Sequence, residues 1–219
     1  MYHNFENLSE DKKQRILEVC ILEFAEKGYE KASTNAIIKD AMVSKGILFH
    51  YFGNKKNLFL YVVEYCLQFL ITEYRKYPLL KSGDIFDRLL ELGMIKLKIY
   101  NTNPNISKVI LQAFMNSPEG IREEIQDRYK QLSNEFVPSI FENIDFSKFR
   151  NGVNPKKALE IVILFLEALQ EKYNKEYKGR EQELLGDVDK IMEEYKEYIE
   201  VLKYGMYCLN NDLAVDINN

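Results

Sequence analysis

Apolar residues along this chain recur at every third or fourth position far more often than at every second. Leu17, Cys20, Ile21, Phe24 and Ala25 line one helical face. Ser9 followed by Glu10 and Asp11 offers a capping hydroxyl and then acids at the positive end of the helix dipole. Gly28 predicts a stop near residue 27. Ser33 or Thr34 caps a second, short helix with Ile37, Ile38 and Ala41 on its apolar face. After a break at 42–43, Ser44 caps a third short helix over 45–51. Asn54 caps a fourth, from 55 to about 75, which Pro78 and Gly83 in KYPLLKSGD bring to an end. Longer helices are expected at about 84–100, 105–116, 119–142, 156–177 and 186–209. Their dividers are NTNPN, NSPEG, DFSKFRNGVNP and YKGREQELLGD.

The expected fold class is all-α. The first three helices, the last two of them short and joined by a tight turn, make a helix-turn-helix head over 1–53. The fourth helix carries the chain without a flexible linker into a second helical domain over 54–219. There the last helix has a stripe of Leu184, Val188, Ile191, Tyr195, Ile199, Leu202, Met206 and Leu209. The helix before it has Leu159, Val162, Ile163, Leu166 and Leu169 on one side and Ile161, Leu164, Phe165 and Ala168 on the other. A helix apolar nearly all round is buried on two fronts, one its own core and the other a partner subunit.

Composition narrows the picture. Hydrophobic residues make up 46% and charged residues 29%, enough to bury a core. The longest strongly apolar run, IVILFL at 161–166, is too short to cross a bilayer. MYHNFENLSEDKK lacks the apolar segment of a secretory signal and is expected to fray. Cys20, Cys66 and Cys208, odd in number and far apart, read as reduced thiols of a cytoplasmic protein. The net charge of −4 argues against general nucleic-acid binding, yet residues 31–60 carry Lys31, Lys39, Lys45, Lys55 and Lys56 against Asp40 alone.

That basic window contains VSKGILFHYFGNKKNLF, 43–59. Lys45 at the start of the third helix and Lys55 and Lys56 at the start of the fourth oppose the helix dipole. Free backbone N–H groups and cations at one helix end make sense together when an anion sits there, so the two ends are candidates for clamping successive phosphates. Gly46, in the first turn after the Ser44 cap, removes a side chain and allows close approach to another surface.

The longer stretch LEFAEKGYEKASTNAIIKDAMVSKGILFHYFGNKKNLF, 22–59, resembles the N-terminal DNA-binding domain of TetR-family transcriptional regulators. The resemblance lies in the Phe–x–x–x–Gly–Tyr end of the first helix, the Ser–Thr cap, the Val–Ser turn, Gly–x–Leu–aromatic–x–Tyr–Phe and Asn–Lys–x–x–Leu. It implies a dimer that binds a double-stranded DNA operator. Thr34 would cap the second helix and meet a phosphate, and Asn35 would reach a base or phosphate. Lys45, Ile47 and Phe49 would face the major groove, His50 and Tyr51 the flanking strand, and Lys55 a phosphate. Leu48 and Phe52 would point inward onto Phe24, Ile37 and Ala41.

Three positions depart from the family's pattern. Met42 stands for a usual glycine in the turn, Ile47 for a small hydroxyl residue and Phe49 for tyrosine. The last two shift the reading surface toward apolar contact with thymine methyls. The resemblance also implies dimerisation through the last two helices and a pocket for a small-molecule effector in the middle ones. Candidate lining residues are Tyr65, Phe69, Met94, Tyr100, Phe114, Met115, Phe136 and Phe165, all of types that equally serve as core. They suggest a mostly apolar ligand.

No enzyme motif appears. The histidines are His3 and His50, and there is no Cys-x-x-Cys, His-Glu-x-x-His or phosphate-binding glycine loop, so no metal or cofactor is expected. The expected function is a ligand-responsive regulator, most simply a repressor. The alternative is a helical protein–protein adaptor that keeps the head but not operator binding.

Overall fold

A computed structural model describes residues 3–77, 82–134 and 136–208. The helices are α1 (His3–Glu6), α2 (Glu10–Lys31), α3 (Thr34–Asp40), α4 (Lys45–Phe52), α5 (Lys55–Lys76) and α6 (Ile85–Thr102). They continue with α7 (Pro104–Asn116), α8 (Glu119–Ser133), α9 (Phe136–Ser139), α10 (Pro155–Glu176), α11 (Glu181–Gly186) and α12 (Val188–Met206). A 3-10 turn occupies Phe146–Lys148. The fold class is all-α, with no strand among the described residues beyond one isolated bridge between Phe149 and Tyr207. The chain forms two compact units, Met1–Lys76 with Lys98–Phe136 and Tyr77–Leu97 with Val137–Asn219.

In the first unit the apolar face of α2 is buried as its spacing predicts: Ile16, Leu17, Cys20, Ile21, Phe24 and Ala25 all face inward. Each large side chain removed from water contributes roughly 1.5–3 kcal/mol. α2 packs along α7, and α5 packs against α7 and α8. Phe24 meets Phe59 of α5 edge to face at 4.9 Å. Ion pairs of Lys56 with Glu124 and of Glu64 with Arg128 fasten α5 to α8 along two turns.

Gly28 kinks α2 where a stop was expected. Its φ of +62° and ψ of −176° suit glycine alone, and the chain then resumes one more turn to Lys31. The Ala32 N–H bonds back to the Gly28 carbonyl at 3.3 Å. A Cβ at this position would also lie 3.0 Å from Gln112 Oε1 of α7, so the glycine serves both the turn and a helix contact.

The second unit is fastened by buried charge. The Arg88 guanidinium donates to the carbonyls of Ser82, Ile140, Glu142 and Asn143 at 2.5–3.3 Å. Asp84, also buried, accepts from the backbone N–H groups of Phe86 and Asp87 and pairs with Lys203 at 3.2 Å and Lys148 at 3.3 Å. Burial alone would raise the Asp84 pKa, but Lys203 and these N–H groups hold the carboxyl below the ordinary range. Elsewhere Glu194 of α12 accepts from Lys172, from the Tyr173 hydroxyl at 2.6 Å and from the Tyr198 hydroxyl at 3.1 Å. The Lys172 and Tyr173 bonds lower its pKa to about 2 and stitch α12 to α10.

Two expectations need correction. The helix expected over 119–142 ends at Ser133, with α9 as a separate turn, because Pro138 supplies no N–H and crowds the carbonyl four residues back. The helix expected over 186–209 begins at Val188 behind α11, and its last described turn gives way to extended backbone at Tyr207. Leu209, like Pro78, lies outside the described residues. Of the apolar stripe, Leu184 on α11 and Ile199 and Met206 on α12 are buried within the chain, Val188, Ile191, Tyr195 and Leu202 are half-buried, and the Tyr195 hydroxyl donates to the Leu89 carbonyl at 3.0 Å. What remains uncovered is a different face, with Tyr198, Val201 and Tyr204 on α12 and Ile161, Leu164 and Ala168 on α10.

Candidate nucleic-acid interface

The site is built outward from a buried joint between α2 and α3. Glu23 is buried and accepts from the Ser33 backbone N–H at 2.7 Å and from Lys27 at 2.8 Å. Burial pushes its pKa up, but Lys27 and Ser33 outweigh it and hold the carboxyl below its usual value. Ser33 is thereby fixed as the cap of α3, its Oγ accepting from Ala36 N–H at 3.3 Å. Thr34, expected to cap, is instead the first helical residue and is half-buried, while Asn35 beside it is exposed. The order follows from Glu23, which orients Ser33 from a helix away.

The turn between α3 and α4 closes through Met42 N–H to Lys39 O at 3.2 Å and Val43 N–H to Ile38 O at 3.1 Å. Met42 holds φ +53°, the left-handed conformation that its missing glycine would have taken without strain. Its side chain is 74% exposed, so packing gives back little of that cost. Ser44 caps α4 as its sequence suggests, its Oγ accepting from Ile47 N–H at 3.2 Å.

α4 has an inner and an outer face. Leu48 and Phe52 are buried in the same core as Phe24, Ile37 and Ala41. Lys45, Gly46, Ile47 and His50 are exposed, and Phe49 is half-buried. A Cβ at Gly46 would approach nothing nearer than Ser44 Oγ at 4.0 Å, so no packing contact within the chain requires glycine there. Lys45 holds no ion pair among the described residues. Tyr51 is half-buried, with its ring against the rings of Phe5 and Phe52.

The start of α5 is different. Asn54 caps it, accepting from Asn57 N–H at 2.8 Å. Lys55 Nζ donates to the Glu30 carbonyl at 3.1 Å and lies 5.1 Å from the centre of the Tyr29 ring. Lys56 is paired with Glu124. The two lysines that the charge pattern assigned to an anion thus already contact protein, and Lys55 keeps donor capacity to spare.

The eight candidate ligand residues divide between the two units. Tyr65, Phe69, Tyr100, Phe114, Met115 and Phe136 belong to the first unit, Met94 and Phe165 to the second. Met115 is buried, and Tyr65 and Phe114 pack on the first unit's core. Phe136 stacks on Tyr74 at 5.4 Å, and Phe165 tilts against Tyr198 at 5.5 Å. Met94 is exposed. Among the described residues no group of His, Cys, Asp and Glu could hold a metal ion, and no helix is long and apolar enough to cross a membrane.

A two-helix reader with a capped, exposed helix start on a buried base defines a helix-turn-helix DNA-binding protein. Family models agree: "Bacterial regulatory proteins, tetR family" matches residues 16–62, and "Tetracyclin repressor-like, C-terminal domain" matches 83–207. An HTH-type transcriptional regulator of Staphylococcus aureus is 32% identical over 147 residues, covering 66% of this chain and 76% of that protein. IcaR of Staphylococcus epidermidis, the negative transcriptional regulator of the biofilm operon icaADBC, is 22% identical over 156 residues, covering 71% of this chain and 80% of IcaR.

Solved structures show the same fold. A TetR family regulator from Chloroflexus aurantiacus has a TM-score of 0.56 at 21% identity over 94% of this chain and 98% of that one. FadR of Bacillus subtilis, solved with stearoyl-CoA, has a TM-score of 0.51 at 16% identity over 82% of this chain and 95% of that one. The chain belongs to the TetR family of bacterial transcriptional regulators, and it is a DNA-binding regulator, not an enzyme.

Proposed function

We propose that this chain is a cytoplasmic, dimeric repressor that binds a palindromic operator and is released by a small, mostly apolar ligand. The observation that carries the DNA-binding part is the N-terminal turn of α4. Lys45, Gly46 and Ile47 stand exposed on a helix whose opposite face is anchored by Leu48 and Phe52. Lys45 meets a phosphate, and Gly46 lets the helix backbone approach the groove. Ile47, 39% exposed, and Phe49 supply apolar contact that favours thymine methyls. Thr34, Asn35, Ser44, His50, Tyr51 and Lys55 complete the surface.

The uncovered face of α10 and α12, with Ile161, Leu164, Val201 and Tyr204, is the surface we assign to a second copy. A two-fold pair doubles the contact and sets the half-site spacing. Repression is supported by the negative regulation named for IcaR, and an apolar effector by the stearoyl-CoA bound to FadR. In the first unit α5 and α8 are strapped together by their two ion pairs, so a ligand displacing either helix moves both. α5 begins at Lys55 and carries Tyr65 and Phe69, which makes it the lever between ligand and DNA.

The test is gel retardation of the DNA upstream of the gene, at several salt concentrations, with and without long-chain acyl compounds. The expected result is a retarded duplex whose affinity falls steeply with salt and which acyl compounds release. Retention no tighter than that of an unrelated duplex would remove this operator from the proposal. Val201→Glu should convert the sedimenting dimer to a monomer, and a wild-type monomer at micromolar concentration would remove the dimer from the proposal.

A further inference from the structure

The first residues, which the apolar pattern leaves as a fraying end, are folded against the reading helix. Phe5 of α1 is fully buried in the head's core. Its ring lies 4.9 Å from Phe52 and 5.6 Å from Tyr51, both in the last turn of α4, and 5.3 Å from Tyr61 of α5. Polar contacts rim this aromatic nest. Asn4 Nδ2 lies 3.0 Å from His50 Nε2, the Tyr61 hydroxyl donates to Glu6, and Lys13 reaches Glu6 at 3.6 Å.

This contact has consequences for α4. A helix of 8 residues does not hold itself in water, so its direction is set by what it packs on. Its own buried side chains are Leu48 and Phe52, one turn apart on one face. Two anchors in line on one face define a position but resist roll about their own line only weakly. Phe5 supplies a third point, off that line, through the Tyr51 ring.

We infer that α1 is a clip that sets the roll of the reading helix on the head, with Phe5 as a positioning residue that acts through Tyr51. Phe5 touches no DNA. Its loss leaves Lys45, Gly46 and Ile47 intact but turns them away from the groove. This inference rests on the DNA-binding reading above.

The experiment uses the full chain and a duplex of the DNA upstream of the gene, with Phe5→Ala, Phe5→Leu, Tyr51→Ala and the double variant Phe5→Ala/Tyr51→Ala. Amide hydrogen exchange is followed in parallel. Phe5→Ala should weaken binding about tenfold, the size of coupling expected between touching residues. Phe5→Leu, which keeps an apolar wedge, should recover most of that. In the Tyr51→Ala background the further change to Ala at Phe5 should cost less than about twofold, since its route to the surface is already gone. Exchange over 49–53 should quicken in Phe5→Ala by about tenfold while that of α7 stays as in wild type.

Equal loss in both backgrounds, or exchange rising in α7 as much as in α4, would show a general core residue and overturn the inference. So would wild-type affinity in Phe5→Ala. Failure of the wild-type chain to retain the duplex would end the DNA-binding reading itself. The exchange measurement would still decide whether the clip orders α4.

Discussion

The starts of α4 and α5 look alike on paper and differ in the fold. Both open with a polar cap, Ser44 or Asn54, followed by lysine against the helix dipole. At α4 the lysine is exposed and the next position is a glycine with open space around it. At α5 both lysines are taken up: Lys55 caps the carbonyl of Glu30 near the end of α2 and covers Tyr29, and Lys56 pairs with Glu124. A lysine that offends one helix can satisfy the end of another, because the free carbonyls at a helix C-terminus carry partial negative charge. An unfavourable lysine is therefore explained within the fold at α5, and at α4 it is not.

The sharpest way to test this contrast is at Gly46. Gly46→Leu should leave the fold as stable or slightly more so, since leucine is the better helix former and its Cβ meets nothing closer than 4.0 Å. It should still weaken DNA binding by about a hundredfold, the equivalent of roughly 3 kcal/mol, by holding α4 off the groove. Retained affinity in a well-folded variant would remove the close-approach role.

Next in size is the pair of lysine changes. Lys45→Ala should lower the magnitude of the salt slope by about one unit without moving the melting temperature. Lys55→Ala should weaken binding less and also lower the melting temperature, because it releases Glu30 and uncovers Tyr29. If the two variants behave alike in both measurements, the distinction between the helix starts is wrong.

A third test concerns the joint beneath the site. Glu23→Gln should cost about 1–3 kcal/mol of stability at neutral pH by replacing charge-assisted hydrogen bonds with neutral ones. The folded pKa of Glu23 is depressed, so its contribution is fully present above the ordinary carboxylate range and is lost as pH falls through the folded value. The gap between wild type and Glu23→Gln should therefore narrow on acidification below about pH 4. A gap that does not change with pH would mean that Glu23 acts by shape alone.

The smallest effect belongs to the turn. Met42→Gly relieves the left-handed strain, roughly 1–2 kcal/mol, but adds unfolded-chain entropy of about 0.4–1 kcal/mol. A net gain of about half to one kcal/mol in urea unfolding is expected from that difference. A loss would mean that the exposed thioether makes a contact in solution that offsets its strain.

The all-α class, the helix-turn-helix head, the helix starts at Ser44 and Asn54 and the inward faces of α2 and α4 were legible in the sequence. Each is a local signal: a cap bonds to an N–H a few residues away, and an apolar face repeats with the helix's own period. Other features were decided by residues distant in the chain. Glu23 chose Ser33 over Thr34 as the cap, and Glu30 and Glu124 engaged the lysines of α5. On α12, Ile199 is buried and Tyr195 reaches the Leu89 carbonyl, while the interleaved Val201 and Tyr204 stay exposed. Phe5 showed no periodicity from which to be read, since a single turn of helix has none, and it gained its place from three rings brought to it by α4 and α5. Periodicity reports that a face is apolar, but which surface covers it depends on elements that meet only when the chain has folded.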